Sequence, residues 1–182
     1  MEHARIGMSF KDYIRDVQDF PKEGVSFKDI SPLLSDPDAL MSAMDELETK
    51  LCSTVLGSSD PEAVVGLDAR GFIFGSLYAA MRSVPFVMAR KEGKLPPSDY
   101  LQKATMKTEY SEETLVMDAP FLKGAKVVII DDCLATGGTA EAAARLVQAS
   151  GGTVVGFGFL VEITSLMGSE KLCAPYCSLV KY

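Results

Sequence analysis

The sequence predicts an α/β fold of the Rossmann-like kind: a mainly parallel sheet flanked by helices, with a small N-terminal hood at its edge. Three observations lead there. The runs AVVGL (63–67), VPFVMA (84–89), KVVIID (126–131) and TVVGFGFLVE (153–162) are apolar throughout, as strands buried on both faces are. Stretches of helical length separate several of them, the rhythm of strand, crossover helix and parallel strand. The first 35 or so residues lack that rhythm, so the expected organisation is one domain over 1–182, with about 1–35 as hood and about 36–182 as core.

In chain order, residues 8–18 (MSFKDYIRDVQ) have helical spacing, with Ser9 as cap, and Pro21 and Gly24 end the pattern. VSFKDIS reads as extended. Ser35-Asp36-Pro37 opens a helix, with a cap followed by proline in the first turn. Leu40, Met44, Leu47, Leu51 and Val55 form its apolar stripe. After AVVGL and the tetrad Asp68-Ala69-Arg70-Gly71, the segment GFIFGSLYAAMR reads as helix. Residues 91–108 are polar, contain Gly93, Pro96 and Pro97, and show no clear period, so a long loop is expected. A strand resumes around 109–117. TAEAAARLVQAS (139–150) is the helix after KVVIID, a short helix is expected near 165–172, and YCSLVK is the last strand.

Composition narrows the function. The chain has 182 residues, a formal net charge of −7 and a pI near 4.8, which disfavours nucleic-acid binding through a general positive field. No stretch is apolar enough to span a bilayer, and the N-terminus has no secretory apolar core. Cys52, Cys133, Cys173 and Cys177 match no disulfide framework, and His3 is the only histidine, so reduced thiols in the cytoplasm are expected rather than a zinc site.

The chemistry concentrates in KVVIIDDCLATGGTA (126–140). Residues 134–139 lie between a strand end and a helix N-terminus, where free backbone N–H groups and the helix dipole attract an anion. Gly137 and Gly138 permit close approach, while Thr136 and Thr139 add hydroxyl donors. A 5′-phosphate fits this turn, which is neither a Walker loop nor a dinucleotide fingerprint. Asp131 and Asp132 then have a purpose, because carboxylates accept well from the hydroxyls of a ribose attached to that phosphate.

This segment resembles the 5-phosphoribosyl 1-pyrophosphate (PRPP) motif of the type I phosphoribosyltransferases. GVSFKDISPLL, GLDARGFIFG, ARKEGKLP, TEYS and LVEITSLMGSEKL, in that order, extend the resemblance to the adenine-specific members of that family over nearly the whole chain. It implies a homodimeric enzyme of purine salvage that converts adenine and PRPP to AMP and pyrophosphate. It also implies Mg²⁺ carried by PRPP and pyrophosphate, with no direct side-chain ligand.

By the same resemblance, Leu134, Ala135, Thr136, Gly137, Gly138 and Thr139 hold the 5′-phosphate, and Asp131 and Asp132 hold the ribose. Asp68, Ala69, Arg70 and Gly71 hold pyrophosphate together with Arg90, Lys91 and Lys94, which head a loop that closes over PRPP in the family. Ala69 stands where the family usually has a hydroxyl. Glu109 and Tyr110 match a catalytic Glu-Tyr pair, with Glu109 serving the N9 proton of adenine and Arg70 assisting the leaving group. Adenine falls to Ser26, Phe27 and Lys28, with Ile163 opposite Phe27. Lys28 replaces the usual arginine, and Ile163 a more frequent leucine.

Two other readings remain open on the residues. A purine-responsive regulator of the same fold would carry a DNA-binding segment or a basic surface, and this acidic chain shows neither. A transferase for another base would carry a lysine-bearing recognition segment before the final strand, and GVSFKDISP argues for adenine instead.

Overall fold

The computed structural model describes residues 9–57, 59–107 and 112–182. They divide into two compact units, with the boundary between Glu46 and Leu47.

In the first unit, Ser9 caps a single 3-10 turn, Phe10–Tyr13, in a reciprocal capping box with Asp12. The helix expected over 8–18 stops there, because residues 15–17 are taken by a strand. β1 (Arg15–Val17) pairs antiparallel with β2 (Phe27–Asp29), in the register Asp16↔Lys28. A one-turn helix α1 (Ser31–Leu34) follows. Helix α2 (Pro37–Lys50) begins where Asp36 accepts from the amides of Asp38 and Ala39. It passes into the second unit and ends in a π-turn over Leu51–Leu56, which buries Leu51, Val55 and Leu56.

The second unit is built on a seven-stranded sheet. In chain order it contains β3 (Ala63–Leu67), α3 (Gly71–Arg82), β4 (Phe86–Lys91), β5 (Leu101–Lys107) and β6 (Glu112–Asp118). There follow β7 (Lys126–Leu134), α4 (Gly138–Ala149), β8 (Thr153–Glu162) and β9 (Tyr176–Lys181). The strand order is β5-β6-β4-β3-β7-β8-β9. From β4 through β3, β7 and β8 to β9 the pairs are parallel, while β6 adds to β4 and β5 to β6 antiparallel.

The parallel centre follows from its residues. Val127, Val128, Ile129 and Ile130 on β7 have no exposed surface, and each contributes about 1.5–3 kcal/mol on full burial. Val127 and Ile129 belong to a core cluster that also includes Leu67, Leu115, Met117, Leu146, Val147, Phe157 and Phe159. The two central strands, β3 and β7, carry the loops that hold most of the candidate residues.

The polar stretch 91–108 is not one long loop. β4 runs on to Lys91, a turn passes through Gly93, and β5 forms a ribbon with β6 in the register Leu101↔Asp118 to Lys107↔Glu112. The Arg145 side chain of α4 donates to the carbonyl of Thr105, at 2.7 Å, which secures this outer strand. The helix expected near 165–172 is two 3-10 turns, Thr164–Leu166 and Gly168–Lys171.

Candidate active site

The carboxyl ends of β3 and β7 lie side by side, because the two strands are hydrogen-bonded neighbours with Gly66 opposite Ile130. In an open α/β sheet, ligands collect at such strand ends. β7 delivers Asp131 and Asp132, then the turn Ala135-Thr136-Gly137, then the N-terminus of α4. Gly137 takes a left-handed φ of +77°, which reverses the chain into the helix. Residues 131 and 133–140 line a shallow depression, partly open to solvent. Free N–H groups at the first turn of a helix such as α4 favour an anion, so this depression is the candidate phosphate position.

β3 delivers the second loop. The peptide between Asp68 and Ala69 is cis, and α3 begins immediately after, at Gly71. Gly71 packs tightly on β7: a Cβ there would lie 2.7 Å from Asp131 Oδ1 and 2.8 Å from the carbonyl oxygen of Ile130. The absence of a side chain therefore brings the pyrophosphate-loop candidate directly against the ribose-binding candidate. Arg70 completes the join, with its Nε 2.9 Å from Asp132 Oδ2.

The electrostatics follow from this crowding. Burial, and then the negative charge of Asp132, push the carboxyl of Asp131 well above its ordinary pKa. Burial raises Asp132 as well, while Arg70 pulls it back down. The amide of Asp132 donates to Asp131 Oδ1 at 2.9 Å, which orients that carboxylate.

Asp68 organises the cationic edge. Its Oδ2 accepts from Arg90 Nε and from the amide of Lys91, each at 3.3 Å. The Arg90 guanidinium also lies 5.5 Å from the centre of the Phe72 ring and donates to the carbonyl of Lys94 at 3.3 Å. Lys91 Nζ pairs with Glu113 at 3.0 Å, and Lys94 is exposed on the following turn. Asp68 thus ties β4 to the loop after β3.

The remaining candidates come from other segments of the chain. In the first unit, Phe27 meets Phe20 edge-on at 5.2 Å between ring centres. Lys28 Nζ donates to Asp16 at 2.7 Å and to Ser26 Oγ at 3.1 Å, and Ser26 Oγ donates to Asp16. In the second unit, the amide of Ile163 donates to the carbonyl of Leu134, at 2.9 Å, at the head of the 134–139 turn. Glu109 and Tyr110 lie outside the described residues.

The structure also brings in residues that sequence reasoning passed over. Cys133 and Ala140 line the depression, and Gly168 abuts the main chain of Ala135 and Gly137. Cys133 stands inside the motif itself. Gly168 had no signal beyond its place in the block LVEITSLMGSEKL. Among the described residues, no cluster of three or more His, Cys, Asp or Glu side chains is arranged to hold a metal ion.

Comparison with known proteins now has a geometry to meet. Residues 35–170 match the model of the phosphoribosyl transferase domain, and the chain belongs to that family. It is 45% identical over 166 residues to the adenine phosphoribosyltransferase of Gloeobacter violaceus, covering 91% of this chain and 93% of that one. The adenine phosphoribosyltransferase structure from Thermoanaerobacter pseudethanolicus superposes with a TM-score of 0.87 at 39% identity, over 94% of this chain and 97% of that one. The Saccharomyces cerevisiae enzyme, crystallised with adenine and an imino-altritol bisphosphate, gives 0.87 at 34% identity, over 93% and 95% of the two chains. Within the family, the chain stands with the adenine phosphoribosyltransferases.

Proposed function

We infer that the protein transfers the 5-phosphoribosyl group of PRPP to N9 of adenine, forming AMP and releasing pyrophosphate, the reaction of adenine salvage. The observation that carries this reading is the junction on β7, where two carboxylates run directly into a glycine turn and the N-terminus of α4. The ring of a ribose whose 5′-phosphate sits on residues 134–139 has its hydroxyls within reach of Asp131 and Asp132. Family membership supports the assignment.

In the reaction, the bond between C1′ and the pyrophosphate oxygen breaks, the C1′–N9 bond forms, and the N9 proton leaves. Positive charge develops on the ribose ring, and Asp131 and Asp132 are the anions placed to stabilise it. Arg70, beside Asp132, takes the leaving pyrophosphate together with the main chain of 68–71 and the cations Arg90, Lys91 and Lys94. The Asp68 carboxylate offers acceptors and no donor, so it serves that group by holding Arg90 and the Lys91 amide rather than by touching the phosphates. Glu109 receives the N9 proton, with Tyr110 beside it, by resemblance to the family. Ser26, Phe27, Lys28 and Ile163 are assigned to adenine on the same ground, which makes about 1–35 the base-recognition segment and about 36–182 the PRPP-binding core.

By the family resemblance Mg²⁺ would come with PRPP and pyrophosphate rather than on a side-chain ligand, and it would supply neutralisation of negative charge on the leaving group, beside Arg70, Arg90, Lys91 and Lys94. The family resemblance further supports a homodimer in the cytoplasm. Among the described residues, no helix is long and apolar enough to cross a membrane, and no two cysteines are joined in a disulfide.

The test supplies the protein with PRPP, Mg²⁺ and a panel of bases, and follows nucleotide and pyrophosphate. AMP formed from adenine in preference to the products of hypoxanthine, guanine, xanthine and the pyrimidines is expected. No turnover with any base would favour a PRPP-binding regulator, and preference for hypoxanthine would overturn the base assignment.

A further inference from the structure

The turn at 135–137 is backed by main chain rather than by side chains. A Cβ at Gly137 would collide with the carbonyl oxygen of Gly168 and lie 3.0 Å from its carbonyl carbon. In the reverse direction, a Cβ at Gly168 would collide with the carbonyl oxygen of Ala135 and lie 2.8 Å from the amide nitrogen of Gly137. Real Cβ atoms do not approach backbone so closely, and no rotamer change relieves such a contact. The two glycines permit a backbone-on-backbone stack.

The segment that ends at Gly168 is fixed to the same strand end. The amide of Ile163 donates to Leu134, and Thr164 binds the carbonyl of Tyr182 through both its amide, at 2.8 Å, and its hydroxyl, at 2.6 Å. Met167 then turns the chain in a left-handed conformation, with φ +50°, so that Gly168 starts its 3-10 turn against the glycine turn. The run Ile163–Gly168 therefore leaves β8 beside Leu134 and meets the turn after β7 again at Ala135 and Gly137.

We propose that Gly168 is a positioning residue for the phosphate-binding turn, holding the 135–137 main chain in register for the 5′-phosphate without touching it. This rests on the phosphate reading given above. Hydrogen bonds from main-chain amides weaken steeply with distance and angle, so displacing this backbone by a fraction of an ångström costs anion affinity. A side chain at 168 forces that displacement.

The experiment measures ribose 5-phosphate, AMP and adenosine binding by calorimetry, with steady-state kinetics, for the natural protein, Gly168→Ala and the neighbouring control Ser169→Ala. Expected for Gly168→Ala are a loss of about tenfold or more in ribose 5-phosphate affinity, a matching rise in the KM for PRPP, and kcat at saturating PRPP within about threefold. The ratio of AMP to adenosine affinity should collapse, which a general loss of stability would not produce, and Ser169→Ala should retain it. An unchanged ratio in folded Gly168→Ala overturns this inference alone. Failure of the natural protein to bind ribose 5-phosphate overturns the phosphate reading and this inference with it. Should Gly168→Ala not fold, amide NMR of the natural protein decides. Titration with ribose 5-phosphate should shift the Gly168 amide with the same midpoint as those of 136–138, and an unmoved Gly168 amide overturns the proposal.

Discussion

Arg70 Nε lies 2.9 Å from Asp132 Oδ2, joining the loop after β3 to the end of β7. The Asp132 side chain is only 7% exposed, against 40% for Arg70, so the arginine faces solvent on one side and a nearly buried carboxylate on the other. We propose that this cation meets the pyrophosphate of a PRPP whose ribose rests on Asp131 and Asp132. Replacing it strands the carboxylate and removes a cation for the leaving group. We expect Arg70→Ala to lower kcat/KM for PRPP by about 10- to 100-fold, as loss of a charge-assisted contact worth about 1.5–3 kcal/mol implies. Arg70→Lys should recover part of this, since charge returns without the planar fork. Initial rates against PRPP concentration measure both, and an Arg70→Ala enzyme with unaltered PRPP kinetics would remove the residue from the site.

Asp131 is held at a cost to stability. A carboxyl whose folded pKa exceeds its unfolded value binds its proton more tightly in the folded state. Its contribution thus favours folding below the unfolded value of about 3.9, and is lost as pH rises through the folded value. Asp131→Asn removes that loss. The variant should melt higher than the natural protein at pH 8, by about 2–4 °C for each kcal/mol recovered, and the difference should shrink toward pH 4. Ribose 5-phosphate affinity should fall in the same variant. Melting curves across pH test the sign, and a variant less stable at pH 8 would contradict it.

Gly71 is where the two loops meet. Its Ala variant places a Cβ within 2.8 Å of both Asp131 Oδ1 and the Ile130 carbonyl oxygen, so the α3 N-terminus must retreat from β7. Overpacking of this kind costs about 1–3 kcal/mol. Lower melting temperature together with a raised KM for PRPP is expected. A variant with native melting and native KM would show that the contact is soft.

Glu109 is assigned to proton transfer, a role that acts on the chemical step. Glu109→Ala should lower kcat by about 10²- to 10⁴-fold while PRPP affinity stays within about threefold. Kinetics paired with direct PRPP binding separate the two, and equal loss in both would withdraw the acid/base role.

What the sequence disclosed tracks how local each interaction is. AVVGL, GFIFGSLYAAMR and TVVGFGFLVE became β3, α3 and β8 with the expected bounds, because their patterns are set by burial along a single element. The glycine turn between β7 and α4 was legible for the same reason, since strand end, glycines and helix start are contiguous. β5 was not: LQKATMK mixes lysines with few apolar residues, and it is a strand because β6 pairs with it and Arg145 reaches Thr105. The helix expected over 8–18 failed because Asp16 pairs with Lys28 across a ribbon, which local spacing does not reveal. The Arg70–Asp132 pair and the Gly137–Gly168 stack join residues far apart in sequence, so only the folded chain displays them.

The central claim is that the turn after β7 binds the 5′-phosphate while Asp131 and Asp132 bind the sugar. A crystal structure of the protein with AMP tests it most directly. The account predicts phosphate oxygens within hydrogen-bonding distance of main-chain amides in 135–139, and ribose hydroxyls on the two carboxylates. AMP bound with its phosphate elsewhere, and that turn unliganded, would contradict it.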